Sequence, residues 1–278
     1  MSTKIAFISD IHGNLEAAKT VFKDIKKRGV DKIICLGDIV AKGSHPNECI
    51  ELVRKNCFVV LSGNTDRVFS SEHNLDNVPK IERKRVEWNQ SLITKENREY
   101  LQSLPFTYEF YMSGSLIRVF HATPAKDNIP ILNIDSVALK STLFEPTSKT
   151  ISDKFADIVL YGHIHHQYMD KLYNKTLINA GSVGNAFDTL RLASFDSNTK
   201  ETTNAHYVII EGDLDSLEYG EDISFQFVRI PYNITKELED LKDNLEPESY
   251  YHEITRGMYR DTAKVEEGFK ERGTILRK

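Results

Sequence analysis

The chain has 278 residues, 40% of them hydrophobic, which suits one large α/β domain and excludes a disordered, collagen-like or disulfide-stapled protein. A formal net charge of −5 argues against bulk binding of nucleic acid, which needs clustered Lys and Arg; a nucleotide substrate stays possible. Cys35, Cys49 and Cys57 form no Cys-x-x-Cys pair and read as buried thiols.

The N-terminal stretch MSTKIAFISDIHGN holds too short an apolar run for a signal peptide, and no run of about 20 apolar residues follows. The expectation is a cytoplasmic protein with no membrane contact, so the sequons at Asn89, Asn174 and Asn233 read as chance.

Residues 4–9 are an apolar run of β-formers. From 15 to 27, Leu15, Ala18, Val21, Phe22 and Ile25 recur at helical spacing, and Gly29 follows as a stop signal. A second strand over 32–36, a helix over 46–55 opened by Pro46 and a third strand over 57–61 complete a βαβαβ pattern. Its strands should be parallel and buried on both faces. Residues 79–103 read as a charged helix with Trp88 on its apolar side. Strands over 108–112 and 116–120, separated by Ser-Gly, predict a hairpin. Further strands are expected over 158–161, 176–180, 192–196, 207–211 and 223–230, then a helix over 234–245. Aromatic residues of the C-terminal third (Tyr207, Phe225, Phe227, Tyr232, Tyr250, Tyr251) could include a base-stacking platform, although core packing explains Phe225 and Phe227 better. Lone histidines such as His73, His206 and His252 read as solvated.

Five polar clusters each follow an apolar strand: Asp10-Ile11-His12, Gly37-Asp38, Gly63-Asn64-Thr65-Asp66, His121, and Gly162-His163-Ile164-His165. Ligand sites of open α/β sheets form at the carboxyl ends of strands, so these clusters should meet along one edge. Carboxylates, imidazoles and one amide oxygen make a mixed N/O donor set of the kind that holds transition metals without thiolates. An extended backbone would put Asp10 and His12 on one side, and likewise His163 and His165.

In this order the clusters resemble the calcineurin-like metallophosphoesterase superfamily. The SDIHGN opening and the Gly-Asn-Thr-Asp variant are most similar to its small bacterial and archaeal phosphodiesterase branch, diadenosine tetraphosphatase-like members included. The resemblance implies a four-layer αββα sandwich of two mixed sheets flanked by helices. It implies a catalytic domain over 1–245, with residues 246–278 a C-terminal extension. By position, Asp10, His12 and His165 would bind a first metal, Asn64, His121 and His163 a second, and Asp38 would bridge them. The implied cofactors are two transition-metal ions, Mn²⁺ or Fe first, with Zn²⁺ or Ni²⁺ possible. The implied reaction is attack of a metal-bridging hydroxide on a phosphodiester or phosphoanhydride of a small nucleotide, such as a dinucleoside polyphosphate. Asp38, Asn64 and Asp66 are the expected catalytic residues, and Asn14 and Thr65 the expected substrate contacts, with Asn14 equally readable as a helix cap. A Ser/Thr protein phosphatase and a non-catalytic scaffold of the same fold are the alternatives. Monomer and homo-oligomer both stay open.

One position departs from the family pattern. Many relatives carry His after the Gly-Asn, whereas this chain has Thr65, a poor general acid near neutral pH. The expectation is a preference for leaving groups that are already acidic, unless Asp66, His45 or His166 replaces the missing His.

Overall fold

The computed structural model describes residues 2–70, 80–186, 204–216 and 223–243, with Tyr250 and Ile254 beyond them. The opening pattern folds as β1 (Ser2–Ile8), α1 (Leu15–Lys27), β2 (Lys32–Cys35), α2 (Pro46–Asn56) and a short β3 (Val59–Val60), with β1, β2 and β3 parallel. α1 ends as its sequence directs. Lys26 and Lys27 sit in its last turn, where they complement the helix dipole, and Gly29 takes φ +64° just past its end.

Then follow α3 (Asn64–Ser70), α4 (Lys80–Leu92), α5 (Lys95–Gln102), β4 (Thr107–Met112), β5 (Ser115–Phe120) and α6 (Val137–Ser141), the last running into a 3-10 turn. β6 (Ile158–Tyr161), β7 (Tyr168–Leu172), β8 (Lys175–Asn179), β9 (Ala205–Asp213), β10 (Ser224–Ile230) and α7 (Ile234–Asp243) complete the order. One sheet runs β10-β9-β1-β2-β3 and the other β4-β5-β6-β8-β7. Both are mixed: β5, β6 and β8 are parallel, and β4, β7, β9 and β10 pair antiparallel.

Strand alternation sorts the side chains into layers. Ile5, Phe7, Ile34 and Leu36 of the first sheet meet Ile117, Val119, Leu160 and Ile178 of the second in the central core. The opposite faces of the same strands, Ala6, Ile8 and Cys35, pack beneath α1 and α2. On the far side Phe120, Val159, Tyr161 and Leu177 are covered by Ile131, Leu143 and Phe144. The result is helices, sheet, sheet, helices. Arg118, fully buried, holds the outer layer: it donates to Glu109 at 2.7 Å and to the carbonyls of Phe144, Glu145 and Lys154.

Several sequence expectations need correction. The helix read over 79–103 is two, because Thr94 caps a new helix and its hydroxyl accepts from the Asn97 N–H. Residues 64–70, to which the sequence reading assigns no element, form α3. β7 and α6 were not anticipated: β7 alternates exposed and covered residues too briefly to stand out. His206 is buried, not solvated; burial, with Arg229 and His166 nearby, lowers its pKa to about 3. Phe225 joins the central core, whereas Phe227 is exposed. The strand expected over 192–196, together with His73, Tyr251 and His252, lies outside the described residues. Among the described residues no helix is long and apolar enough to cross a membrane.

Candidate metal centre

The carboxyl ends of β1, β2, β5 and β6, with the N-terminus of α3, converge at one edge of the sandwich. Asp10, His12 and His165 place one ligand atom each within 4.8 Å of one another, and so do Asp38, His121 and His163. Asp38 lies between the two groups: its Oδ2 is 3.8 Å from His12 Nε2 and 3.4 Å from His121 Nε2. Asn64, first residue of α3, puts its Oδ1 3.1 Å from His121 Nε2. All seven positions come together at this edge.

They do not converge by strand alternation. Asp10, His12, Asp38, His163 and His165 have φ between 53° and 66°, left-handed backbone that costs a non-glycine residue on the order of 1–2 kcal/mol. A chain turning this way can aim Asp10 and His12 into one group while sending His165 to that group and His163 to the other. Hydrogen bonds between the loops hold the strained conformations. Asp10 N donates to Gly37 O, His12 N to Asp38 O, Gly162 N to His121 O and Gly184 N to Asp10 O, all at 2.8–3.0 Å. Contact is close enough to require glycine: a Cβ on Gly63 would lie 2.1 Å from Asp38 Oδ1, and one on Gly162 1.9 Å from Ser9 Oγ.

Three imidazoles are held in one tautomer. Nδ1 of His12 bonds Val40 O at 3.1 Å, that of His121 bonds Leu36 O at 3.0 Å and that of His165 bonds Asn185 O at 2.7 Å. A carbonyl only accepts, so each Nδ1 carries hydrogen and each Nε2 faces the site, with its lone pair free wherever the ring is neutral. Nε2 of His12 and Nε2 of His165 then face one another at 3.0 Å. Asp10 Oδ1 is buried beside them with no hydrogen-bond partner, 3.3 Å from His165 Nε2. Two lone pairs and an unpartnered carboxylate oxygen converging on one point fit a cation.

Burial and the neighbouring charges act on these groups in opposite directions. Burial pulls His121 down, and the carboxylates of Asp38, Asp10 and Asp66 more than reverse it, raising the imidazole to about 10. Burial and His121 lower His163 to about 4. Burial, then Lys42, depress His12. Burial pushes the Asp10 and Asp38 carboxyls up, but the surrounding imidazoles leave both below the usual range.

Residues 3–202 match the Calcineurin-like phosphoesterase superfamily domain. An uncharacterised protein of Methanocaldococcus jannaschii is 33% identical over 264 residues, covering 89% of this chain and 96% of that one. The chain belongs to the calcineurin-like phosphoesterase superfamily. A metallophosphoesterase from Sphaerobacter thermophilus shares the fold at TM-score 0.67 and 23% identity, over 92% of this chain and 99% of that one. A hypothetical protein from Pyrococcus horikoshii OT3 does so at 0.71 and 17%, with coverages of 92% and 99%. Members of the superfamily bind two transition-metal ions, and this chain carries two candidate clusters for them.

Three expected site residues are engaged elsewhere. Asn14 is the N-cap of α1: its Oδ1 accepts from Ala17 N, and its Nδ2 donates to Gly184 O and Tyr232 Oη. Its amide is thus shared between the helix cap and the contacts with Gly184 and Tyr232. The Thr65 hydroxyl donates to Val40 O at 3.1 Å, while the Thr65 N–H donates to Asp38 Oδ1 at 2.9 Å. Asp66 is fully buried beneath the metal loops. Its Oδ2 accepts from Asp38 N and Gly63 N, its Oδ1 from Ile39 N and Val40 N. Four N–H donors occupy its four lone pairs and tie the carboxyl to the loop that carries Asp38. The other substitutes for the missing His are also occupied: His45 Nε2 lies 3.1 Å from Asp240, and His166 stacks on Tyr168.

Sequence reading missed the loop after β8. Ser182 Oγ donates to Asp10 O at 2.8 Å, and Asn185 supplies the carbonyl that orients His165. The rule that found the other clusters, polar residues at the end of a parallel strand, applies equally to residues 180–186. Lys42, buried at φ +77°, gave no sequence signal.

Proposed function

We propose that the chain is a metal-dependent phosphohydrolase that cleaves phosphoanhydride or activated phosphodiester bonds of small nucleotides, dinucleoside polyphosphates among them. The observation that carries this reading is the pair of Asp/His clusters meeting at Asp38. Asp10, His12 and His165 would hold one ion, Asn64, His121 and His163 the other, and Asp38 would touch both. The N/O donor set suits Mn²⁺ or Fe, with Zn²⁺ or Ni²⁺ also within its range. When bound, such ions supply Lewis acidity toward phosphoryl oxygens and activate water.

The protein's part is orientation and charge. Nδ1 bonds to backbone carbonyls turn Nε2 of His12, His121 and His165 inward, and Asp66 and the interloop hydrogen bonds hold Asp38 where both clusters reach it. The leaving group determines the substrate class. Thr65 offers a hydroxyl already tied to Val40 O, so departure depends on a group that needs little protonation. A departing phosphate, with a second pKa of about 6, meets that condition; a departing alkoxide does not.

The test strips the protein of metal, restores Mn²⁺ and assays a dinucleoside tetraphosphate, an aryl phosphodiester and a phosphopeptide beside Asp38→Ala. The expected result is metal-dependent cleavage of the first two, lost in the variant. Preferential turnover of the phosphopeptide would overturn the substrate class, and turnover undiminished in Asp38→Ala would overturn the two-cluster site.

A further inference from the structure

The superfamily match ends at residue 202, yet residues beyond it reach back to the candidate centre at three points. Tyr232 Oη accepts from Asn14 Nδ2 at 3.2 Å. Tyr250 Oη donates to Gly184 O at 2.9 Å. Asp240 of α7 pairs with His45, whose own N–H donates to Gly13 O at 3.2 Å.

All three contacts fall on loops that carry or brace the Asp10–His12–His165 group. The Gly184 carbonyl that receives Tyr250 also receives Asn14 Nδ2. On its other side Gly184 N donates to Asp10 O at 3.0 Å, and the next carbonyl, Asn185 O, takes the His165 Nδ1 hydrogen at 2.7 Å. Tyr250 is therefore one peptide unit from the groups that fix two of the three ligands. It is itself immobilised: fully buried, it packs with Leu241, Ile254 and Trp88. The other group is braced from within the superfamily domain. Asp66 holds Asp38, and Leu36 O orients His121.

We propose that Tyr250 and Tyr232 are positioning residues for the Asp10–His12–His165 cluster, so that the chain beyond the superfamily domain sets the affinity of one metal site and not the other. This rests on the reading of the clusters as metal sites. Groups that orient a metal-ligating histidine through its second nitrogen typically change affinity about ten- to a hundredfold when removed. Tyr→Phe deletes the hydroxyl and keeps the ring, so packing around Leu241 and Trp88 is preserved.

The experiment titrates Mn²⁺ into the metal-stripped full chain by calorimetry in two backgrounds: His121→Ala, which leaves the first cluster intact, and His165→Ala, which leaves the second. Adding Tyr250→Phe is expected to weaken Mn²⁺ about threefold or more in the His121→Ala background, less than removal of a group bonded directly to the imidazole, and to leave the His165→Ala background unchanged. Tyr232→Phe, which does not touch Gly184 directly, is expected to act in the same direction and less. Equal weakening in both backgrounds, or no change in the first, would overturn the proposal. A parent chain that binds no Mn²⁺ would overturn the metal reading and this inference with it.

Discussion

At the scale of single residues, the centre depends on side chains that lie behind its ligands. Asp66 gathers four backbone N–H groups, and an amide in its place must turn its NH₂ toward two of them. Asp66→Asn is expected to destabilise the fold by at least about 2 kcal/mol, because each buried donor left facing a donor costs about 1–3 kcal/mol. It should also lower activity at saturating Mn²⁺; denaturant titration and a metal-saturated assay read the two effects separately. Thr65 gives the opposite kind of prediction. Thr65→His introduces the proton donor that many relatives carry, and general acids contribute roughly 10²–10⁴-fold. Hydrolysis of an alkyl phosphodiester should therefore rise by about a hundredfold or more relative to an aryl one. An unchanged ratio would show that the leaving group is protonated by another route.

At the scale of elements, α7 carries a pH dependence of its own. Glu237 is fully buried on α7, and neither carboxyl oxygen has a hydrogen-bond partner. Burial, with further contributions from Asp240 and Glu16, raises it to about 8. A carboxyl whose folded pKa lies above its unfolded value holds its proton longer in the folded state, so stability falls as pH rises from about 4.5 toward 8. Glu237→Gln should match the parent at pH 4 and be more stable at pH 8, measured by thermal melting across that range. A constant difference between the two proteins would contradict the assignment.

The elements also show what sequence could and could not reveal. β1, α1, β2 and α2 were legible because their apolar residues recur at one clear period and their ends carry Gly29 and Pro46. The hairpin was legible because Ser113 and Gly114 supply the two positive φ values that its turn demands. β7 was not, since an edge strand of alternating exposed residues resembles a loop. The ligand types and their order were legible, but their geometry was not. Left-handed backbone at Asp10, His12, Asp38, His163 and His165 is only weakly signalled by Asp and His, and it is held by hydrogen bonds between loops distant in sequence. Nor could sequence distinguish Asn14 as cap from Asn14 as phosphate contact, because either role uses the same amide.

At the scale of the whole molecule, two sheets meet so that the carboxyl ends of their parallel strands share one edge, and both candidate clusters are assembled there. The proposed function requires these clusters to be two metal sites joined at Asp38. Crystals of the metal-stripped protein soaked with Mn²⁺ test it directly, through anomalous difference density. Two peaks are expected, one among Asp10, His12 and His165 and one among Asn64, His121 and His163, both in contact with Asp38. A single peak, or peaks away from these side chains, would contradict it.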